Sequence, residues 1–377
     1  MTSLRIPFQR PTMPNMESAL NYFSRSLEAR YFSNGGPCAQ LFEVAVAERA
    51  GTQHAVLVNN ATSGLMVAAR ALFARRRPDG YVIVPSFTFA ATAAALEWAG
   101  YEPLFCDIDP LNLHLDPAAL RNALVLFGDR IAGVLACSTF GVAPPLGVST
   151  AWEELCSQAG VPLLVDSAAG FGSTFESGVS LGRQGNAEVF SFHATKPFAI
   201  GEGGAVTSND GDLVAEIRRL INFGFDDQRV VSGAVGINAK MPEILCAIGL
   251  AAMEEFDSVL NVRRSLSLRI VEGLGLDASI QPNLTRAAVQ FVPILVDASR
   301  RVELLSHLAE AGIEARLYFD PPLHMMPSFS RHACGPLQGT NLVAGRVVSL
   351  PMFNDMTTEQ ADEIISIVGR TLSTVTG

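Results

Sequence analysis

Two of the chain's 27 basic residues are lysines and the other 25 are arginines. One, Lys196, lies in SFHATKPFAIGEGG (191–204), and the other, Lys240, lies in GINAKM. A guanidinium stays protonated and is a poor nucleophile, whereas a lysine amine can lose its proton and condense with an aldehyde. A stray surface charge is the alternative reading. The flanks of Lys196 favour chemistry. Pro197 disfavours helix at position 196, and Gly201, Gly203 and Gly204 permit close backbone approach to a ligand. Upstream, Asp166 ends the apolar run VPLLVD. An acid at the carboxyl end of a buried parallel strand lies where open α/β sheets bind ligands, although a helix-capping aspartate would look the same. Further upstream, HAVLVNN runs into ATSGLMVAARAL, which puts Thr62 and Ser63 in a first helical turn. Free N–H groups and hydroxyls there can hold a phosphate, or they can simply cap the helix.

Such residues need strands and helices to position them. Short β-rich runs recur at HAVLVNN (54–60), YVIVPSF (81–87), EPLFCDID (102–109), IAGVLACSTF (131–140), PLLVDSAA (162–169) and EVFSFHA (188–194). Several are apolar throughout, as strands covered on both faces are. Helical patterns fall between them: SGLMVAARALFARR, FAATAAALEWAG ending on Gly100, and WEELCSQAG ending on Gly160. Glycine just past the last periodic residue is a usual helix stop. The alternation predicts an α/β fold, a mostly parallel central sheet with helices on both faces. After about residue 255 the order changes to helix (VRRSLSLRIVEGL), strand (AAVQFVPILVD), helix (RVELLSHLAEAG) and a capped terminal helix (TTEQADEIISIVGRTL). We therefore expect a large domain over 1–250 and a smaller C-terminal α/β domain over 251–377, with the boundary on a helix.

Composition excludes several function classes. A net charge of −10 lacks the basic face that nucleic acid or an anionic membrane requires. No uncharged apolar run reaches membrane-spanning length, and the opening MTSLRIPFQRPTMP has proline where a signal peptide needs its apolar stretch. Six scattered cysteines without a CxxC pair predict a reduced, cytoplasmic protein with no disulfide framework. The six histidines form no metal-ligand pair, so no metal site is expected.

An amine for an imine, an acid for a ring nitrogen and an anion site together match one cofactor, pyridoxal 5'-phosphate. Longer motifs agree. SNGGPCAQLFE, VPSFTFAATAAALEWAGYEPLFCDID, VDSAAGFGS, SFHATKPFAIGEGGAV, INFGF, GINAKMPEILCAIGL and RLYFDPPLH occur in this order. The chain resembles the DegT/DnrJ/EryC1/StrS family of pyridoxal-phosphate-dependent nucleotide-sugar aminotransferases over nearly all its length. The resemblance implies the aspartate aminotransferase-like fold, fold type I of these enzymes. It makes Lys196 the Schiff-base lysine and acid–base group, and Asp166 the partner of the pyridine nitrogen. Phe89 matches the aromatic that stacks on the ring, and Thr62, Ser63 and Ser191 match phosphate ligands. Asn238 matches an asparagine that reaches the phosphate of the neighbouring subunit in a homodimer with shared active sites. His324 lies in a segment that faces the sugar, His193 lies near the substrate or packs under the loop, and Lys240 lies near the substrate diphosphate.

The chain departs from the family at Ala169, where a Gln or His usually bonds the cofactor's ring hydroxyl. Members with histidine in place of the lysine catalyse deoxygenation, so Lys196 implies transamination. The implied acceptor is a dTDP- or otherwise nucleotide-linked 4-keto-6-deoxyhexose, with L-glutamate as donor. Amination of a 3-keto sugar or a keto-cyclitol, or a non-catalytic regulatory role, are the alternatives. The apolar helix opened by GINAKMPEILCAIGLAAMEEF carries few charges before Glu254 and must be covered, by its own chain or by a second subunit, and the resemblance favours the second.

Overall fold

The computed structural model describes residues 4–77, 79–275, 280–332 and 335–373. A seven-stranded sheet forms its centre: β1 (His54–Val58), β2 (Tyr81–Pro85), β3 (Glu102–Cys106), β4 (Ile131–Cys137), β5 (Leu163–Asp166), β6 (Ala187–Ser191) and β7 (Gly204–Ser208). The spatial order is β1-β7-β6-β5-β4-β2-β3. Strands β6, β5, β4, β2 and β3 run parallel, and β7 is antiparallel to both β1 and β6. The apolar runs named above thus form a mostly parallel sheet. The antiparallel β7 was not anticipated, because GAVTS is short and its glycine and serine give no strand signal.

Helices α1 (Met16–Glu28), α2 (Pro37–Ala50), α3 (Ala61–Phe73), α4 (Ala90–Ala99), α5 (Pro117–Phe127), α6 (Leu146–Ala159) and α7 (Gly211–Leu220) surround this sheet. Gly100 and Gly160 stop α4 and α6 in the left-handed conformation, with φ of 91° and 61°, as the helix-stop pattern predicted.

The 32-residue α8 (Glu243–Leu274) joins GINAKMPEILCAIGL to VRRSLSLRIVEGL without a break. Beyond it lie β8 (Val292–Leu295), α9 (Ala298–Glu310), α10 (Gln338–Ala344), β9 (Val347–Leu350) and α11 (Thr358–Ser373). Strands β8 and β9 pair antiparallel, and the far half of α8 packs with α9 and α11 over them, through Leu266, Ile270, Leu304, Leu308, Ile364 and Val368. The N-terminal segment joins this cluster: Ile6 and Phe8 are buried in it, and the Arg5 and Ile6 amides donate to the Gly312 carbonyl at 2.9 and 3.1 Å.

The first half of α8 corrects one expectation. Cys246, Ala247, Ile248, Leu250, Ala251 and Ala252 are buried against α1 and α2 of the same chain. Glu243 locks that packing. Its fully buried carboxylate accepts from the Ser26 hydroxyl at 2.7 Å and from the Gly36, Cys38 and Ala39 amides at 2.8, 2.8 and 3.1 Å, so it caps α2 as an acid at a helix N-terminus should. This helix therefore needs no second subunit to cover it. The five described free cysteines are all buried, and Cys334 lies outside the described residues. No described helix is long and apolar enough to cross a membrane.

Candidate active site

Parallel strands align their carboxyl ends on one edge of the sheet, and a cleft of about 640 Å³ opens there. Asp166 enters it from the end of β5, Cys137 and Ser138 from the end of β4, and Ser191 from the end of β6. Thr88 and Phe89 come from the turn after β2. Of the residues singled out in the sequence, Thr62, Ser63, Phe89, Asp166, Ser191, His193 and Lys196 all line this cleft. Asn238, Lys240 and His324 do not.

The tight turn His193–Lys196, closed by the Lys196 amide on the His193 carbonyl at 2.8 Å, delivers the lysine into the cleft. Its Nζ donates to Gln290 Oε1 at 3.1 Å, and Gln290 Nε2 donates in turn to the Thr195 carbonyl at 3.2 Å. Burial lowers the Lys196 pKa to about 8, and the Asp166 carboxylate nearby keeps it from falling further. An amine with that pKa is neutral in roughly one molecule in ten at pH 7, against fewer than one in a thousand for an ordinary lysine.

Asp166 is 5% exposed. Its Oδ2 accepts from the Thr92 hydroxyl at 2.7 Å and its Oδ1 from the Ala168 amide at 3.0 Å. Burial pushes its pKa up, while those two bonds and the Lys196 charge hold it down. The carboxylate is thus built into the protein on one side and has no cationic hydrogen-bond partner among the described residues. Thr92 leans in turn on the Thr88 hydroxyl at 2.9 Å.

The third component is the N-terminus of α3. Asn60 caps it by accepting from the Ser63 amide at 2.8 Å, which sets the Thr62 and Ser63 hydroxyls at the cleft wall. Gly204 permits the approach, since a Cβ there would lie 2.6 Å from the Phe190 carbonyl oxygen and 2.9 Å from the Ala61 nitrogen. Phe89 lines the cleft and is 58% exposed, so an aromatic side chain is open there. A primary amine, a buried acid, an aromatic face and a hydroxyl-rich helix N-terminus are the donor set that pyridoxal phosphate requires, so the residues present fit it.

The His193 ring is half-buried beside Lys196. Its Nδ1 accepts from the Thr195 amide at 3.2 Å, and its Nε2 lies 3.5 Å from Glu202 Oε1. Both residues line the cleft. His324 instead turns away: its Nδ1 lies 2.7 Å from the Ser86 hydroxyl. Asn238 is exposed and pairs with Asn222. Lys240 donates to Asn222 Oδ1 at 2.8 Å and sits 4.8 Å from the Phe223 ring centre, alongside the end of β1.

Sequence reading missed Gln290, Thr88, Thr92 and Glu202. Gln290 had a signal, a lone amide inside the apolar run AAVQFVPILVD. The threonines had none, because hydroxyls are common where a strand turns into a helix.

Comparison with known proteins agrees with this geometry. The model of the DegT/DnrJ/EryC1/StrS aminotransferase family matches residues 15–369. A putative PLP-dependent aminotransferase from Bacillus cereus superposes with a TM-score of 0.89 at 34% identity, over 97% of this chain and 99% of that one. DesI, solved in the presence of its TDP-sugar product, superposes with a TM-score of 0.88 at 32% identity, over 99% and 94% of the two chains. The dTDP-4-amino-4,6-dideoxy-D-glucose transaminase of Shigella dysenteriae is 29% identical over 95% of this chain and 97% of its own length. Matched from near one end to near the other and carrying the lysine, acid and helix N-terminus in one cleft, the chain belongs to the DegT/DnrJ/EryC1/StrS aminotransferase family and is a pyridoxal-phosphate-dependent aminotransferase of its fold.

Proposed function

We propose that the enzyme transfers an amino group from L-glutamate to a nucleotide-linked keto sugar, and that the acceptor is a dTDP-4-keto-6-deoxyhexose. The observation that carries the transfer is the Lys196 amine, with its pKa lowered to about 8, in one cleft with the buried Asp166 carboxylate. The likeness to the Shigella transaminase and to DesI supports the choice of sugar.

Pyridoxal phosphate, when bound, supplies an aldehyde for amines to condense with and a ring that withdraws electrons from the carbon being deprotonated. The protein's residues do the rest. Lys196 would hold the cofactor covalently, and once released its neutral amine would take the proton from the donor's Cα and return it to the carbon that came from the cofactor's aldehyde. Gln290 aims that amine by accepting from Nζ. Asp166 would hold the ring nitrogen, with Thr92 and the Ala168 amide fixing the carboxylate's orientation. The α3 N-terminus, with Thr62, Ser63 and Ser191, would hold the phosphate, and Phe89 would cover the ring. The test is a panel of nucleotide-linked keto sugars incubated with enzyme and glutamate and read by mass. The expected product is the amino sugar from the dTDP-linked 4-keto substrate. Product only from a 3-keto sugar or a keto-cyclitol would replace the acceptor, and no product from any would leave the catalytic reading without support.

The same reading includes a homodimer in which Asn238 completes the partner's phosphate site, with Lys240 towards the sugar nucleotide. Asn238 stands on the surface, outside its own chain's cleft, beside the exposed apolar residues Phe223, Phe225, Val235 and Ile237. Such a patch fits a second copy. Mixing Lys196→Ala subunits with Asn238→Ala subunits, each impaired alone, tests this. In a shared-site heterodimer one site collects both lesions and the other is intact, so random exchange should restore roughly a quarter of wild-type activity. Absence of recovery despite demonstrated exchange would rule out the shared site.

A further inference from the structure

Arg263, on α8, is 4% exposed, and no acid pairs with it among the described residues. Its Nε donates to Asn354 Oδ1 and its Nη1 to the Val289 carbonyl, both at 2.7 Å, and Nη1 also lies 3.5 Å from the Met352 carbonyl. All three acceptors are neutral. Burial lowers the Arg263 pKa to about 9, so the guanidinium is still charged at pH 7. A buried cation without a counter-charge is costly, and an apolar side chain would fill the same space without that cost. What the guanidinium supplies instead is a rigid fork of short, charge-assisted bonds.

The carbonyl it holds belongs to the residue before Gln290. The two residues before that are pinned as well: the Ala288 amide donates to Ser173 Oγ at 2.8 Å, and the Ala287 carbonyl accepts from Arg264 Nε at 3.2 Å. Gln290 is 6% exposed, and both ends of its amide are committed, Nε2 to the Thr195 carbonyl at 3.2 Å and Oε1 to Lys196 Nζ at 3.1 Å. A carbonyl can only accept and an ammonium can only donate, so the amide has a single orientation here.

We propose that Arg263 is a positioning residue of the amino transfer, fixing Val289 and through it the Gln290 amide that sets the direction of the Lys196 amine. A neutral amine has two N–H bonds and one lone pair, so giving one N–H to a fixed acceptor restricts where the lone pair points. Proton transfer is sensitive to that direction. Arg263 acts on Lys196 only through Gln290, and this distinguishes it from a clamp that merely holds the core together.

This inference rests on the aminotransfer reading above, and two measurements separate them. In cofactor-free protein, the pH midpoint for reductive methylation of Lys196, read by peptide mass, reports the Gln290 bond, because an acceptor favours the ammonium over the amine. Gln290→Met should lower the midpoint from its wild-type value near 8, and Gln290→Glu should raise it. Arg263→Met should lower it as Gln290→Met does, and the double variant should lower it no further. Asp166 and Cys137, which also act on the amine, are present in all of these. Trp152→Phe, which removes a buried bond to the Leu115 carbonyl outside the cleft, controls for loosened packing and should leave the midpoint in place. In the holoenzyme, a single half-reaction with L-glutamate should slow by at least about tenfold in Arg263→Met. KM for glutamate should change little, and the rate difference between glutamate and its α-deuterated form should widen. Should Arg263→Met fail to fold, as judged by thermal melting, Arg263→Lys, which keeps the charge but not the fork, should show both changes in smaller measure. An unmoved midpoint in the Arg263 variants, or a double variant that adds the two single shifts, reduces Arg263 to a clamp within the core. A wild type inert towards glutamate removes the donor reading instead, and methylation still decides whether Arg263 holds the amine.

Discussion

Replacing Lys196 with arginine is expected to stop turnover, by at least about 10⁴-fold, while the protein still folds. The charge is conserved, but the guanidinium cannot condense with an aldehyde or give up a proton near neutral pH. Lys240→Arg is expected to cost less than about tenfold, since what Lys240 offers is a cation, to Asn222 Oδ1 and the Phe223 ring, and arginine can supply one. Comparable activity in the two variants would remove Lys196 from its role. Wild-type protein stripped of cofactor gives a second reading. Reductive methylation of Lys196, followed by peptide mass, should rise with pH around a midpoint near 8. The sign for stability follows from linkage. Burial disfavours the charged amine, so between pH 8 and the ordinary 10.5 the unfolded chain holds a proton that the folded one has released. Stability of the cofactor-free protein should therefore gain from this group as pH rises through that window, with the penalty fully present below it.

The sequence carried much of the site, because the chemistry demanded residue types that are rare in their surroundings. Lys196 stands among arginines, and Asp166 ends an otherwise apolar strand. Strand runs apolar over their whole length also announced a sheet covered on both faces, and the glycines after α4 and α6 announced where those helices stop. What stayed hidden depends on chain reversal and distance. Gln290 meets Lys196 across 94 residues, and nothing local in AAVQFVPILVD says which cleft its amide enters. The pattern of few charges at the start of α8 was read correctly as a surface needing cover, but periodicity does not name the covering element. That cover is α1 and α2, held by Glu243 through contacts more than 200 residues away in sequence. Strand β7 was invisible for a different reason: its burial comes from the neighbours β1 and β6, not from its own composition.

Asp166→Ala is expected to slow the chemical step by about 10³-fold or more while cofactor still binds through the α3 end of the cleft. Removing the carboxylate takes away the ionic partner proposed for the ring nitrogen, and with it the electron withdrawal that makes deprotonation possible. It also leaves the Thr92 hydroxyl and the Ala168 amide without their acceptor, so lost activity alone could reflect local disorder. Asp166→Asn separates these causes. The amide oxygen can still accept from one of those donors, so the wall is largely retained, but the charge is gone. If the charge is what matters, Asn should be nearly as damaging as Ala, with melting temperature close to wild type. A further consequence is independent of turnover. The Asp166 charge raises the Lys196 pKa against the effect of burial, so in both variants the methylation midpoint of Lys196 should move below 8. An Asp166→Asn enzyme that turns over within about tenfold of wild type, with an unmoved Lys196 midpoint, would reduce Asp166 to a cap on the turn that follows β5.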